Sequence, residues 1–153
     1  MNPPVVVDTN ILFAAMVSRH SRFREILLME PGASFCCPRF IFSELFKHKE
    51  RIVAATELPE EELLDTLNSL FAHIQFVDES AIPIGDWLEA RRLCAGVDDK
   101  DAPFVALAIY LKARLWTEDG ELKKRTSRQR VRFVLRTVNS SGLPHETGLI
   151  LPF

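Results

Sequence analysis

Val5, Val6 and Val7 are followed at once by Asp8, Thr9 and Asn10. Three β-branched residues in a row are stiff and favour an extended backbone, and because alternate side chains point to opposite faces, such a strand is apolar on both. It belongs in the interior of a sheet covered by helices on each side. The run stops at a carboxylate, so an interior strand ends in an acid. In open α/β sheets ligands sit in the crevice beyond the carboxyl ends of the strands, which is where Asp8 and Asn10 would lie.

The rest of the chain continues in that style. Ile11, Leu12, Ala15 and Met16 recur at helical spacing, and after the polar break Ser18 to Ser21 a second set, Phe23, Ile26 and Leu27, follows. Pro31 and Gly32 stop that helix, Ser34 to Cys37 reads as a short strand, and Pro38 suits the first turn of a helix running to about Glu50. Pro59 with Glu60, Glu61 and Glu62 is a helix start, since the proline fixes φ and the acids complement the N-terminal dipole. Gln75 to Val77 reads as a strand, Pro83 and Gly85 as a loop, and Asp86 to Cys94 as a helix. A helix rich in Phe104, Val105, Leu107, Ala108 and Leu111 precedes the strand Arg114 to Thr117, and Val131 to Leu135 makes a last strand. Strands separated by helices predict an α/β fold with a mostly parallel sheet.

At 153 residues the chain fits one domain, spanning 1–153, and 47% hydrophobic with 26% charged residues is ordinary for a globular protein. Cys36, Cys37 and Cys94 have neither CxxC spacing nor a histidine cluster beside them, so they read as small buried residues in a reducing compartment rather than as disulfides or zinc ligands. The longest apolar segment, Ala102 to Leu111, is far short of the roughly 20 residues that span a bilayer, and the expected location is cytoplasmic, with no membrane partner.

Four acids stand where that fold would bring them together. Asp8 closes the first strand, where it could equally cap the helix that follows. Glu44 lies on the helix face of Phe40, Ile41 and His48, and a carboxylate among apolar neighbours needs a cation, a metal or a hydrogen-bond partner. Asp101 precedes Ala102 and Pro103 and reads as a helix N-cap, a position that also favours an ionised carboxylate. Asp119 follows a strand exit, with Gly120 beside it, and taken alone is a turn residue. Four carboxylates held close would repel one another unless a divalent cation with oxygen ligands neutralised them.

Val7-Asp8-Thr9-Asn10, Ser43-Glu44-Leu45, Asp101-Ala102-Pro103-Phe104-Val105-Ala106-Leu107-Ala108 and Trp116-Thr117-Glu118-Asp119-Gly120-Glu121-Leu122 together resemble the PIN-domain ribonucleases, the group that includes VapC-type toxins. The motif-bearing part covers about 5–122, with the C-terminal strand and tail at about 131–153 matching less clearly. The resemblance implies a Rossmann-like three-layer α/β/α sandwich in which Asp8, Glu44, Asp101 and Asp119 bind Mg²⁺ or Mn²⁺ and carry out metal-dependent hydrolysis of RNA. It implies that Asn10 and Thr117 support the acids by hydrogen bonding. Asp98 and Asp99 read first as a solvated acidic loop, with Asp98 an additional ligand. A homodimer and a cognate antitoxin are also implied.

The formal charge of −2 carries no whole-chain signature of nucleic-acid binding, although setting aside the four acids as metal-neutralised turns the balance slightly positive. Cations concentrate at Lys123, Lys124, Arg125 and Arg128, with Arg19, Arg22 and Arg24 after the first strand, and these are the expected RNA contacts. The competing reading is a catalytically silent module of the same fold that binds RNA or protein. A phosphoaspartyl phosphatase would need an aspartate where the chain has Asn10, and no histidine is paired with a Ser or Cys for covalent catalysis. The apolar ending Gly148 to Phe153 is expected to dock on the domain or on a second subunit.

Overall fold

The computed structural model describes residues 4–30, 33–95 and 99–117 and three short strands at 132–133, 137–138 and 144–145. The valine run is strand β1 (Val5–Val7), and all three side chains are buried, so both faces of the sheet are covered at its centre. Two helices follow, α1 (Thr9–Val17) and α2 (Arg22–Met29), then β2 (Phe35–Pro38), α3 (Phe40–Lys47), α4 (Lys49–Ala55), α5 (Glu60–His73) and β3 (Ile74–Val77). The second half adds α6 (Ile84–Cys94), α7 (Ala102–Leu111), β4 (Arg114–Trp116) and β5 (Arg132–Phe133). Among the described residues the sheet has five strands in the order β3-β2-β1-β4-β5, every pairing parallel. A separate antiparallel pair joins β6 (Thr137–Val138) to β7 (Pro144–His145).

Helices α1, α2 and α5 pack on one another, and α2 reaches the sheet through Phe23, whose ring lies 5.8 Å from that of Trp116. Helix α7 lies along β1, β2 and β4 with α6 beside it. Residues 102–108 of α7 are buried all round, as expected of a helix apolar on every side. This is the parallel-sheet α/β fold that the alternation of strands and helices predicts, in the α/β/α sandwich that the family resemblance implies.

Three local readings need correction. Pro38 ends β2 instead of opening a helix: the β1 pairing uses Phe35 and Cys36, so Pro38 has β3 alone beside it and its missing N–H breaks no bond to β1. The helix expected to run to about Glu50 stops at Lys47, because His48 leaves helical geometry (φ −108°, ψ 15°), and α4 starts afresh at Lys49. Gly85 lies inside α6, which begins one residue after Pro83, a residue that can stand at a helix start without a missing donor being felt. The expected strand at Val131 to Leu135 is described only as Arg132–Phe133, and the tail from Gly148 to Phe153 lies outside the described residues.

The carboxyl end of α1 is closed from three directions. Ser21 Oγ donates to the Ala14 carbonyl at 3.0 Å, Thr56 Oγ1 to Met16 at 2.8 Å, and the Glu57 N–H to Val17 at 2.7 Å. The Arg24 guanidinium donates to the carbonyls of Ala15, Ser18 and Arg19. These satisfy the acceptors that a helix leaves open at its C-terminus, and they place a cation there against the dipole. Arg24 is therefore spent on the fold and leaves the set of expected RNA contacts.

Candidate functional site

The order of the strands locates a crevice. From β1 the chain moves outward through β2 to β3, then returns past β1 to place β4 on its other side. At that reversal the segments leaving β1 and β4 diverge above the sheet, the position where open α/β sheets hold their ligands. Asp8 is the first residue after β1 and Thr117 the first after β4. The register fixes them side by side: Val7 pairs with Trp116, and the Asp8 N–H donates to the Trp116 carbonyl at 3.1 Å.

Both side chains are buried, Asp8 at 3% and Thr117 at 0% exposure. Thr117 Oγ1 donates to Asp8 Oδ2 at 2.6 Å, a short charge-assisted bond that holds the carboxylate in one orientation. The other oxygen, Oδ1, accepts from the Asn10 N–H at 3.4 Å and makes Asp8 the N-cap of α1. The cap and ligand readings of Asp8 are thus compatible, since the N-terminus of α1 stabilises the same anion that a cation would need. The expected support from Thr117 is present in its hydroxyl. Asn10 contributes its backbone, while its side chain is exposed.

Glu44 is the second buried acid, at 7% exposure, on the inward face of α3 beside Ile41. His48 one turn later brings Nε2 within 3.7 Å of Glu44 Oε2. Asp101 occupies the N-cap position of α7 but with αR backbone angles and no side-chain bond to the helix, so its carboxylate does not cap α7 as the sequence suggests. The αR geometry follows from the preceding 3-10 turn, Asp99–Asp101, which runs straight into the helix.

Asp119, Asp98, Lys123, Lys124, Arg125 and Arg128 lie outside the described residues. Among the described residues no three His, Cys, Asp or Glu side chains converge into a group able to hold a metal ion. The donors that are present, buried carboxylate oxygens with a hydroxyl in support, are of the hard kind that Mg²⁺ and Mn²⁺ select. The donor chemistry of Asp8 with Thr117 fits such an ion, while Asp8, Glu44 and Asp101, all among the described residues, do not by themselves form a group of three that could hold one.

The cysteines take no part. All three are buried and none is in a disulfide. Burial, with Cys36 next to it and Asp8 close by, pushes the Cys37 thiol well above its ordinary value, although its bond to the Val7 carbonyl, 3.2 Å from Sγ, pulls the other way. A protonated, enclosed thiol is no nucleophile.

One residue that the sequence reading passed over positions α3. Glu79, just after β3, accepts from the Phe40 N–H at the start of that helix, where Arg39 provides no side-chain cap of its own. Its neighbour Asp78 is held below its ordinary carboxylate range by the Ser80 N–H and hydroxyl and, less strongly, by Arg39. The only sequence signal is an acidic pair at a strand exit. Glu79→Ala is expected to lower stability by about 1 kcal/mol, the usual size of a lost cap, whereas Glu79→Gln keeps an acceptor and most of the stability. Urea denaturation measures both, and equal midpoints for the parent and Glu79→Ala would show that the cap carries no weight.

Comparison with known proteins agrees with this architecture. No curated protein matches the chain. Eleven chains of solved structures do. One comes from the VapBC2 complex of Rickettsia felis bound to a DNA fragment from its promoter, which superposes with a TM-score of 0.61 over 78% of this chain and 91% of that one, at 17% identity. At that identity the likeness establishes the fold. The family model described as PIN domain matches residues 6–136, from β1 through the strands that flank it and past β5, and the chain belongs to the PIN domain family.

Proposed function

We propose that this chain is a divalent-metal-dependent endoribonuclease, with Asp8, Glu44, Asp101 and Asp119 holding Mg²⁺ or Mn²⁺ and Thr117 orienting Asp8. The observation that carries the reading is the buried Asp8 carboxylate, locked by Thr117 at the reversal between β1 and β4. Two hydrogen bonds and the N-terminus of α1 offset part of the cost of burying this anion, and a bound cation would offset more. When bound, the ion supplies water activation at neutral pH and charge neutralisation at the phosphate.

The protein's own groups do the rest. Asp8 is fixed at both oxygens, so its direction is set before any ligand arrives. Glu44, buried on α3, is the second proposed ligand, and the Glu79 cap holds the start of its helix. Asp101, half-buried at the N-cap position of α7, is the third proposed ligand. Lys123, Lys124, Arg125 and Arg128 follow Asp119 in sequence and are the cations proposed to draw the RNA backbone toward an acidic crevice.

Membership of the PIN family and the likeness to a VapBC2 chain favour a toxin whose partner is a cognate antitoxin, with a homodimer as the assembly. Among the described residues no helix is long and apolar enough to cross a membrane, in keeping with a cytoplasmic site of action.

The test is cleavage of total cellular RNA by the full chain with Mn²⁺ or Mg²⁺, repeated with chelator and with Asp101→Asn. Cleavage should require the ion and fall at least about 100-fold in the variant, the loss expected when one metal ligand is removed. Activity that survives both treatments overturns the reading. RNA retention without cleavage under every condition would favour the silent binding module.

A further inference from the structure

One face of α1 is only partly covered, with Phe13 packed at the edge of the core, and that face begins at the candidate site. Thr9, Ile11, Leu12, Ala15 and Met16 are buried, whereas Asn10 is exposed and Phe13 and Val17 are half-buried. Residues three and four apart share a helix face, so Asn10, Phe13 and Val17 form one stripe that starts two residues after Asp8. The Phe13 ring meets the His48 imidazole edge to face, with centroids 5.7 Å apart and planes at 81°. His48 in turn lies 3.7 Å from Glu44. A pair of aromatic rings therefore connects the helix that Asp8 opens to the buried carboxylate of α3.

Neither ring is sealed away: 27% of the His48 side chain remains exposed, and Phe13 is half-buried. The make-up of this patch matters. A phenyl ring, an imidazole and a carboxamide lie on the segments that carry two buried acids, and none of them is an acid. Carboxylates repel phosphates, so a strand that crosses them gains from groups that hold its bases without adding negative charge. Aromatic faces stack on any base, and an imidazole and a carboxamide can bond base edges as donor or acceptor.

The two exposed aromatics of α3 do not serve: Phe42 packs against the rings of Phe71 and Phe76, 5.3 and 4.6 Å away. Phe46 is two residues beyond Glu44, on the far side of the helix, and its ring is already covered by the Lys49 ammonium at 3.9 Å.

We propose that Phe13, His48 and Asn10 form a nucleobase-binding face that holds the base next to the phosphate engaged by the carboxylates. The inference rests on the ribonuclease reading above. It makes this face the place where the enzyme requires single-stranded RNA, because a base paired in a duplex cannot turn to stack on Phe13.

The experiment uses the full chain, Ca²⁺ as the sole divalent ion, and a short fluorescent single-stranded RNA, together with copies of that strand made abasic at each position in turn. Wild-type protein should bind the intact strand roughly tenfold more tightly than the copy lacking the critical base. Phe13→Leu keeps apolar volume without a ring and should melt as the parent does. It and His48→Ala should lower affinity for the intact strand to that for the abasic copy, and removing both ring and base should cost no more than removing one. Wild-type affinity and base preference in both variants would overturn the proposal while leaving the ribonuclease reading intact, as would parent protein that cuts RNA yet ignores every abasic position. Parent protein that neither binds nor cuts RNA would remove the ribonuclease reading and this face with it.

Discussion

Asp8→Asn yields a protein that folds as well as the parent and cuts RNA at least about 100-fold more slowly. Asparagine is as good an N-cap as aspartate, but it has one acceptor oxygen where Asp8 uses two: if the carbonyl keeps the Asn10 N–H, the amide faces Thr117, whose hydroxyl must then turn to accept. The charge is lost. Losing a buried anion relieves a desolvation cost and disturbs one accepted bond, two effects that oppose each other. The melting temperature should therefore stay within about 3 °C of the parent's, while on the proposed reading a ligand of the ion loses its charge. Thermal melting and cleavage assayed on the same preparation separate the two effects. A melting temperature lowered by more than about 3 °C, roughly 1 kcal/mol for a chain of this size, would mean that the carboxylate serves the fold, and activity within about threefold of the parent would remove it from the site.

The largest loss of stability is expected from Trp116→Ala, about 3 to 5 kcal/mol. Trp116 is 2% exposed in β4 and packs between layers, its ring 5.8 Å from Phe23 of α2 and 6.1 Å from Phe35 of β2. Its removal leaves a cavity bounded by elements that cannot close on it, because β4 is held by β1 on one side and β5 on the other. A domain stable by 5 to 15 kcal/mol, as is usual, would forfeit about a third or more of that stability. Its carbonyl also receives the Asp8 N–H, so the damage reaches the crevice. Denaturant unfolding measures the loss, with Trp116→Phe falling between parent and alanine. A shift below about 1 kcal/mol for alanine would mean that the ring is not the inter-layer wedge described.

The features legible beforehand are those with a local cause. Three valines announce a strand covered on both faces, the break at Ser18 to Ser21 separates two helices, and Pro59 with three glutamates starts α5. Glu44 stands out because an acid on an apolar helix face has few explanations, and it proves to be buried. What could not be read depends on partners far along the chain. Nothing near Phe40 says that its N–H will meet Glu79, 39 residues on. Nor does an arginine in a basic run declare that it will cap the preceding helix, as Arg24 does. Pro38 shows how a residue with two good homes goes to the wrong one when only neighbours are considered: a proline opens helices, but it also closes strands where no donor is missed.

The bond between Thr117 and Asp8 spans 109 residues. A ribosome making this chain from its N-terminus therefore releases the first carboxylate early and its holder late. Until β4 has emerged and slid in beside β1, the early segments have one wall of the crevice and no floor, and the sheet has an open edge at its centre. On the proposed reading this works as a delay written into topology. If the chain cuts RNA as proposed, the strand order leaves the crevice unfinished until β4 has been made.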